Sequence, residues 1–413
     1  MKDEKKAPKL RFKGFTDDWE QCKLGDVCEE VSGNNGNVKG LPILTISAAN
    51  GWMNQKDRFS QVIAGNELKK YTLLEKGHLA YNHGNSKLAK YGTVFVQNLY
   101  DQALVPRVYH SFKMKTENNP YYVEYYFATK KLDRELARLV TSGARMDGLL
   151  NINKKDFFKI KFEVPTPVEQ SLISTILQKL DQIITLHEEK KQQLKRLKSA
   201  LLQKMFANKS GYPAVRFERF NDIWDQEKLS SLVRLRRGLT YSPDNVQDSG
   251  IRVLRSSNIL DGQFVTTDDD IFVKSSVVNI PTIKSGDILI TAANGSIKLV
   301  GKHAIISRIS ENTAVPGGFM LVGSSRIPDF VNSLFGTSWY QRFIRKYVTG
   351  GNGSIGNLKK NDLDKQYVMV PTTSEQEQIG EFLKKIDKLI TNNQIKHDKL
   401  LELKESLLQN MFI

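Results

Sequence analysis

The chain repeats itself. The segment Pro8 to Trp19 (PKLRFKGFTDDW) recurs as Pro213 to Trp224 (PAVRFERFNDIW), at an offset of 205. Far downstream Val164-Pro165-Thr166 recurs as Val370-Pro371-Thr372 at an offset of 206, and from there to Phe206 and Phe412 20 of 43 aligned positions are identical. Chance does not hold a constant offset over that span, so the chain is two copies of one unit of about 205 residues. Whatever fold the first copy adopts, the second must adopt too.

Each copy divides into a mixed globular part and a long helix. In the globular parts, β-branched runs such as Gly92–Val96 and Ile288–Thr291 alternate with Gly/Asn-rich turns, which predicts strands. Residues 121–139 and 329–347 have helical periodicity, so the fold class is α/β (α+β). Beyond these, Ile173, Leu180, His187, Leu194 and Leu201 fall every seven residues, with Ile176, Ile183, Lys190, Leu197 and Lys204 three later. The second copy repeats the pattern with Ile379, Ile386, Asn393, Leu400 and Leu407, and Phe382, Leu389, Lys396, Leu403 and Asn410. Heptads sustained this long predict two coiled-coil helices, each about 54 Å long for about 36 residues. Paired antiparallel, they bring His187 and Lys190 to the same level as Asn393 and Lys396, where polar side chains fix register at a cost in stability. Such a rod puts one globular domain at each end. The domains then face a common target across a pseudo-two-fold axis, like that of duplex DNA with its repeat of about 34 Å.

Charge fits that target. With 61 Lys+Arg against 45 Asp+Glu the formal charge is +16, which attracts polyanions. Residues 169–206 carry +3 and 375–413 carry −1, so almost all the excess sits in the globular domains. The helices read as protein-binding spacers and the domains as DNA readers. There is no apolar stretch long enough for a bilayer and no apolar run behind the N-terminus, so a cytoplasmic protein with no membrane partner is expected. Cys22 and Cys28 are too few for a disulfide framework or a four-cysteine zinc site and read as two buried thiols; no metal is expected.

Together, Arg-Phe-x-x-Phe-x-x-x-Trp (Arg11 to Trp19, Arg216 to Trp224), Val-Pro-x-x-x-Glu-Gln (Val164 to Gln170, Val370 to Gln376) and Leu-Leu-Gln-x-Met-Phe (Leu201 to Phe206, Leu407 to Phe412) resemble the specificity subunits of type I restriction–modification systems. The resemblance implies target-recognition domains over 1–165 and 211–370, a central coiled-coil helix and spacer over 166–210 and a C-terminal helix over 371–413. It implies that each domain reads one half of a bipartite, asymmetric DNA site, and that the helices set the gap. It also implies docking of two copies of an adenine-N6 methyltransferase subunit, joined by an ATP-dependent restriction and translocase subunit. S-adenosylmethionine, ATP and Mg are then expected only on those partners, and this chain is expected to be non-catalytic. A free-standing, dimer-like DNA-binding regulator is the alternative.

The residues agree with a non-catalytic chain. No phosphate-binding Gly-x-x-x-x-Gly-Lys-Ser/Thr loop is present, and the one acidic run, Asp268-Asp269-Asp270, reads as a solvated turn. Asn118-Asn119-Pro120-Tyr121-Tyr122 approaches an amino-methyltransferase signature but lacks its second proline. A proline opening a helix explains both it and its counterpart at Pro328. Trp19 and Trp224 read as packing residues. Base edges are read by Arg, Lys, Asn, Gln, Ser and Thr, and two half-sites need loops that match in place but differ in residues. Those loops supply Asn50, Asn85, Lys87, Lys90, Arg145 and Lys154 in the first copy, and Asn258, Asn294, Ser296, Lys298, Lys302, Asn352 and Lys359 in the second. Ordinary Gly/Asn/Ser turns would look the same.

Overall fold

The structure, a computed structural model, describes residues 7–34, 40–58, 65–84, 86–115, 117–141, 149–208, 210–348 and 356–413. The chain forms two compact units, Met1–His187 with Lys396–Ile413, and Glu188–Ile395. The division falls inside both long helices, Pro167–Lys204 and Thr373–Asn410, so each unit holds one globular domain and part of each helix.

The first unit is built on an antiparallel sheet in the spatial order Cys28–Glu30, His110–Met114, Leu79–Asn82, Thr93–Val96. Successive residues of the inner strand Leu79–Asn82 point to opposite faces, and both faces are covered. Leu79 and Tyr81 join the core under the helix Pro120–Ala128, while Ala80 joins a smaller one with Leu44, Ile46, Trp52 and Val105. The second unit repeats this with Arg234–Arg237, Met320–Ser324, Ile288–Thr291, His303–Ile305. There Ile288 and Ile290 face one core and Leu289 the other. It adds a sheet in which Ile251–Leu254 runs parallel to Ala314–Pro316. Mostly antiparallel sheets with helices on one face make the fold α+β.

Both expected helical stretches are interrupted. The first breaks into Pro120–Ala128 and Asp133–Leu139 around Lys130, which sits at φ 62°; the second breaks at Gly336-Thr337, between Pro328–Phe335 and Ser338–Tyr347. Asn119 caps the first of these helices by accepting the N–H of Tyr121 at 3.0 Å, and Tyr122 is fully buried, so this motif is a helix start. Trp19 and Trp224 are likewise buried in their cores. Burial pushes the thiol of half-buried Cys22 up to about 11 and that of Cys28 to about 12.

The repeated motifs are the joints of each unit. In the first, Arg11 donates Nε to Glu169 Oε1 at 2.7 Å and Nη2 to Oε2 at 2.8 Å. In the second, Arg216 holds Glu375 the same way, at 2.8 and 2.8 Å. Both glutamates are fully buried in the first turn of a long helix, where a negative charge also suits the helix dipole. The next residue completes the motif: Gln170 Nε2 donates to Pro165 O at 2.9 Å, and Gln376 Nε2 to Pro371 O at 2.7 Å. Beside each clamp an antiparallel pair closes the domain, Glu20–Lys23 with Lys161–Val164 and Asp225–Lys228 with Tyr367–Val370.

The closing motif works as a plug. Phe412 packs against Tyr122 and Tyr126 of the first unit, with ring centroids 5.3 and 5.7 Å apart. Phe206 packs against Trp224 and Phe330 of the second. Each helix therefore starts on the domain of its own copy and ends in the core of the other copy's domain. Leu10 N–H meets Asn410 O at 2.8 Å and Val215 N–H meets Lys204 O at 2.9 Å, satisfying a carbonyl at each helix end.

Within the second unit the helices run antiparallel: Lys191 reaches Gln394 at 2.7 Å and Lys198 reaches Asp387 at 2.6 Å. In the first unit Lys404 pairs with Asp181, which also accepts the Tyr125 hydroxyl at 2.8 Å. The expected seam is half right. The lines through Ile173 and Ile379 face inward, but their companions lie four residues later rather than three. Leu177, Ile184 and Lys191 are buried while Ile176, Ile183, Lys190 and Leu197 are exposed. In the other helix Leu383 is buried and His397 and Lys404 are half-buried, while Leu389, Lys396 and Leu403 are exposed. Lys190 and Lys396 thus lie outside the seam, and Lys191 and His397 occupy the places expected for them. Among the polar seam residues of the second unit, Asn393 is buried and donates to Leu389 O at 2.8 Å.

Glu375→Ala leaves the Arg216 guanidinium without its carboxylate and costs about 3 kcal/mol locally. Amide exchange in 225–228 and 367–370 is expected to accelerate on the order of a hundredfold, with the first unit unchanged. Glu124 accepts the N–H of Val96 at 2.6 Å, and burial pushes its carboxyl up to about 7 from 4.5. Its folded form holds the proton more tightly, so its contribution is complete below about pH 4.5 and is lost as pH rises through about 7. Glu124→Gln, which cannot ionise, is expected to gain in melting temperature over the parent as pH is raised across that window, read by thermal unfolding.

Candidate nucleic-acid interface

In the first unit the turn that carries Asn50 and the loop after Asn82 come to one edge of the main sheet, beside residues 140, 149 and 152. Asn82, ending its inner strand, donates to Ile46 O at 3.2 Å and accepts the N–H of Gly84 at 3.1 Å. Gly84 bridges to Leu149, and Val140 bridges to Ile152. The His83 ring ties the edge together, with Nδ1 2.5 Å from Leu150 O and Nε2 2.8 Å from Val108 O. Behind it the His110 ring stacks at 5.0 Å; burial, with the charges of His83 and Lys154, pushes its pKa down to about 3. Asn50 is exposed in the turn between Leu44–Ser47 and Gly51–Asn54, and Lys87 and Lys90 are exposed beyond Gly84. Lys154 opens the short helix Lys154–Phe157 and pairs with Glu30 at 2.8 Å. That surface pair is weak enough to exchange for a phosphate. Asn85 and Arg145 lie outside the described residues.

The second unit assembles the same edge from other residues. Asn294 donates to Ser256 Oγ at 3.1 Å and accepts the N–H of Ser296 at 2.9 Å. Its strand, Ala293–Asn294, pairs with Gly356–Asn357. Ser296, Lys298 and Lys302 are exposed, as is Lys359 at the start of the helix Lys360–Asp364. Asn352 lies outside the described residues. Asn258 is a correction. It is fully buried, accepts the N–H of Arg255 at 2.7 Å, and donates to Val265 O at 3.0 Å and Asp270 Oδ1 at 2.7 Å. Its amide holds the loop together and cannot reach a base; Ser256 is the residue of that turn that meets Asn294. The acidic run is corrected with it: Asp268 and Asp269 are exposed, but Asp270 turns inward to Asn258, Thr267 and Arg252.

Two kinds of functional residue escaped sequence reasoning. The seam lysine Lys191 adjoins Lys190, and periodicity alone does not separate the two. The Arg11–Glu169 and Arg216–Glu375 pairs were visible only as parts of separate motifs. Their joint recurrence in both copies was the signal that could have paired them. Among the described residues no group of three or more His, Cys, Asp or Glu could hold a metal ion, and no helix is long and apolar enough to cross a membrane.

The sequence profile of the type I restriction modification DNA specificity domain matches residues 16–196 and again 200–403. The chain belongs to that family. Its two specificity domains are the two copies seen in the sequence. Over 264 residues the chain is 25% identical to the type I restriction enzyme EcoKI specificity subunit of Escherichia coli (strain K12), covering 62% of this chain and 56% of the relative. It is 30% identical over 176 residues to the StySPI specificity subunit of Salmonella potsdam, covering 40% and 36%. To the MjaVIII specificity subunit of Methanocaldococcus jannaschii it is 22% identical over 275 residues, 64% of each chain. The matched stretches therefore span less than two thirds of these relatives. The fold is similar to the crystal structure of a type I restriction-modification S subunit from M. genitalium, with a TM-score of 0.62 over 98% of this chain and 99% of that one, at 13% identity.

The division of labour at the second specificity domain's edge is testable. Asn258→Ala is expected to lower stability by about 1–3 kcal/mol, through the bond lost to Asp270 and the backbone groups left unpaired, Arg255 N–H and Val265 O, measured by urea unfolding without DNA. Lys298→Ala at the exposed turn is expected to leave stability unchanged.

Proposed function

We propose that this chain is the DNA-specificity subunit of a type I restriction–modification complex, itself non-catalytic, that directs adenine-N6 methylation and restriction. The observation that carries the reading is the doubled specificity domain presenting the same polar loop edge twice with different residues. Asn50, Lys87 and Lys90 stand where Ser256, Asn294, Ser296 and Lys298 stand in the other copy. One edge then reads each half of a bipartite, asymmetric site in double-stranded DNA. Nearly all of the +16 formal charge lies outside the helices, which suits domains that grip phosphates.

The helices set the gap and carry the partners. Outside the seam each keeps a second apolar line at heptad spacing: Ile176, Ile183 and Leu197 on one, Leu389 and Leu403 on the other, all 38–49% exposed. Apolar heptad positions left open on a helix already paired elsewhere suit further helices. We assign this line to two copies of the methyltransferase subunit, which bring S-adenosylmethionine, with the ATP- and Mg-dependent restriction subunit joining for cleavage.

Co-expression with a methyltransferase subunit of the same system, followed by genome-wide mapping of N6-methyladenine, tests the reading. A split motif around a fixed gap that depends on this chain is expected. No new methylation from a complex that co-purifies would refute it, and failure to co-purify would favour a free-standing regulator. Removing 188–194 together with 391–397, centred on the Lys191–Gln394 contact, takes out about 10 Å of rod at 1.5 Å per residue. The gap is expected to shrink by about three base pairs at 3.4 Å each, with both half-sites unchanged. Altered half-site bases would contradict the spacer role.

A further inference from the structure

Phe319 is out of place for its chemistry. It is 65% exposed, and every other phenylalanine among the described residues is buried or half-buried. A flexible loop would explain that trivially, but the turn carrying it is fixed from three sides. Met320 N–H donates to Gly317 O at 2.8 Å, which sets Gly318 and Phe319 as the two central residues of a tight turn. Gly317 N–H donates to Leu254 O at 2.8 Å, and Leu239 N–H to Pro316 O at 2.7 Å. The carbonyl of Phe319 accepts both Ala292 and Ala293 N–H, each at 2.9 Å. The approach is so close that a Cβ on Gly238 would lie 1.9 Å from Gly317 O. The backbone of this turn cannot withdraw the ring.

What surrounds the turn says what the ring meets. Ala293 is followed by Asn294, bonded to Ser256, so the tip is bonded directly into the polar edge assigned above to DNA. On its other side, Gly318 approaches Thr240 Oγ1. In the first unit the corresponding turn is Pro106-Arg107-Val108, also bonded to its edge, through Val108 O and His83 Nε2 at 2.8 Å. There an exposed arginine and valine take the place of Gly-Gly-Phe. The element is shared and its residues differ, as reading two different half-sites requires.

We propose that Phe319 is a wedge that inserts at a base step within the half-site read by the second specificity domain, flanked by Ser256, Asn294 and Thr240 as the polar contacts. The inference rests on the DNA-specificity reading. An apolar ring on a rigid tip beside hydrogen-bonding side chains is the arrangement that unstacks and kinks duplex DNA. Pyrimidine–purine steps unstack most easily, so the wedge contributes specificity by deformability, without a hydrogen bond to a base.

The test uses the full chain in complex with its methyltransferase subunit, selecting from a pool of random duplex DNA and sequencing what is bound. The unsubstituted complex is expected to return a split motif with a pyrimidine–purine step in one half-site. Phe319→Ala is expected to lose preference at that step alone, to bind the original motif about ten- to a hundredfold more weakly, and to keep the other half-site. Phe319→Leu, which keeps an apolar wedge, is expected to retain most of the preference. With the side chain exposed, neither change threatens the fold, and a melting curve checks this. An unchanged motif and affinity in Phe319→Ala would overturn the wedge while leaving the specificity reading intact. Loss of methyltransferase co-purification with an unchanged motif would overturn it in favour of a protein contact. No motif from the unsubstituted complex would overturn the specificity reading itself.

Discussion

The buried arginine–carboxylate clamp, Arg11 on Glu169 and Arg216 on Glu375, is the contact on which each unit depends. It fixes the first turn of a long helix to the segment that opens the domain, and the flanking two-stranded pair closes over it. A carboxylate with no exposure cannot afford to lose its partner, so the helix leaves each domain in one direction only. The direction in which each helix departs from its domain presupposes that contact.

The far ends of the helices are fixed by hydrophobic burial instead. Met205 and Phe206 complete the core around Trp224 and Phe330; Met411 and Phe412 complete the one around Trp19 and Tyr122. Each globular domain is thus finished by a helix end from the other copy. A single copy would expose an apolar socket in its domain and an apolar plug at its helix end. That gives the duplication a physical reason.

The candidate interface was partly legible. The loops around Asn82 and Asn294 were found because matched position with unmatched residues is visible in a repeat, and the structure brings them to equivalent edges. The loop position of Asn258 suggests solvent, but the side chain is fully buried. Only the fold shows that Arg255, Val265 and Asp270 consume its amide. Nothing in the sequence marks Phe319, since phenylalanine is ordinarily core, and its exposure follows from a turn pinned by Leu239, Leu254 and Ala292, far apart in sequence.

The sequence by itself determined the duplication, the α+β class, the two long helices and one of the two lines along each seam. It could not place the second line, because apolar residues occupy adjacent candidates: Ile176 beside Leu177, Ile183 beside Ile184, Phe382 beside Leu383, Leu389 beside Ile390. A period of seven fits either choice. The choice is made by the partner helix, whose ion pairs, Lys198 with Asp387 and Lys404 with Asp181, bring the later line inward and leave leucines at 197, 389 and 403 outside. Periodicity is a property of one chain segment, whereas the face it buries is decided by what it meets.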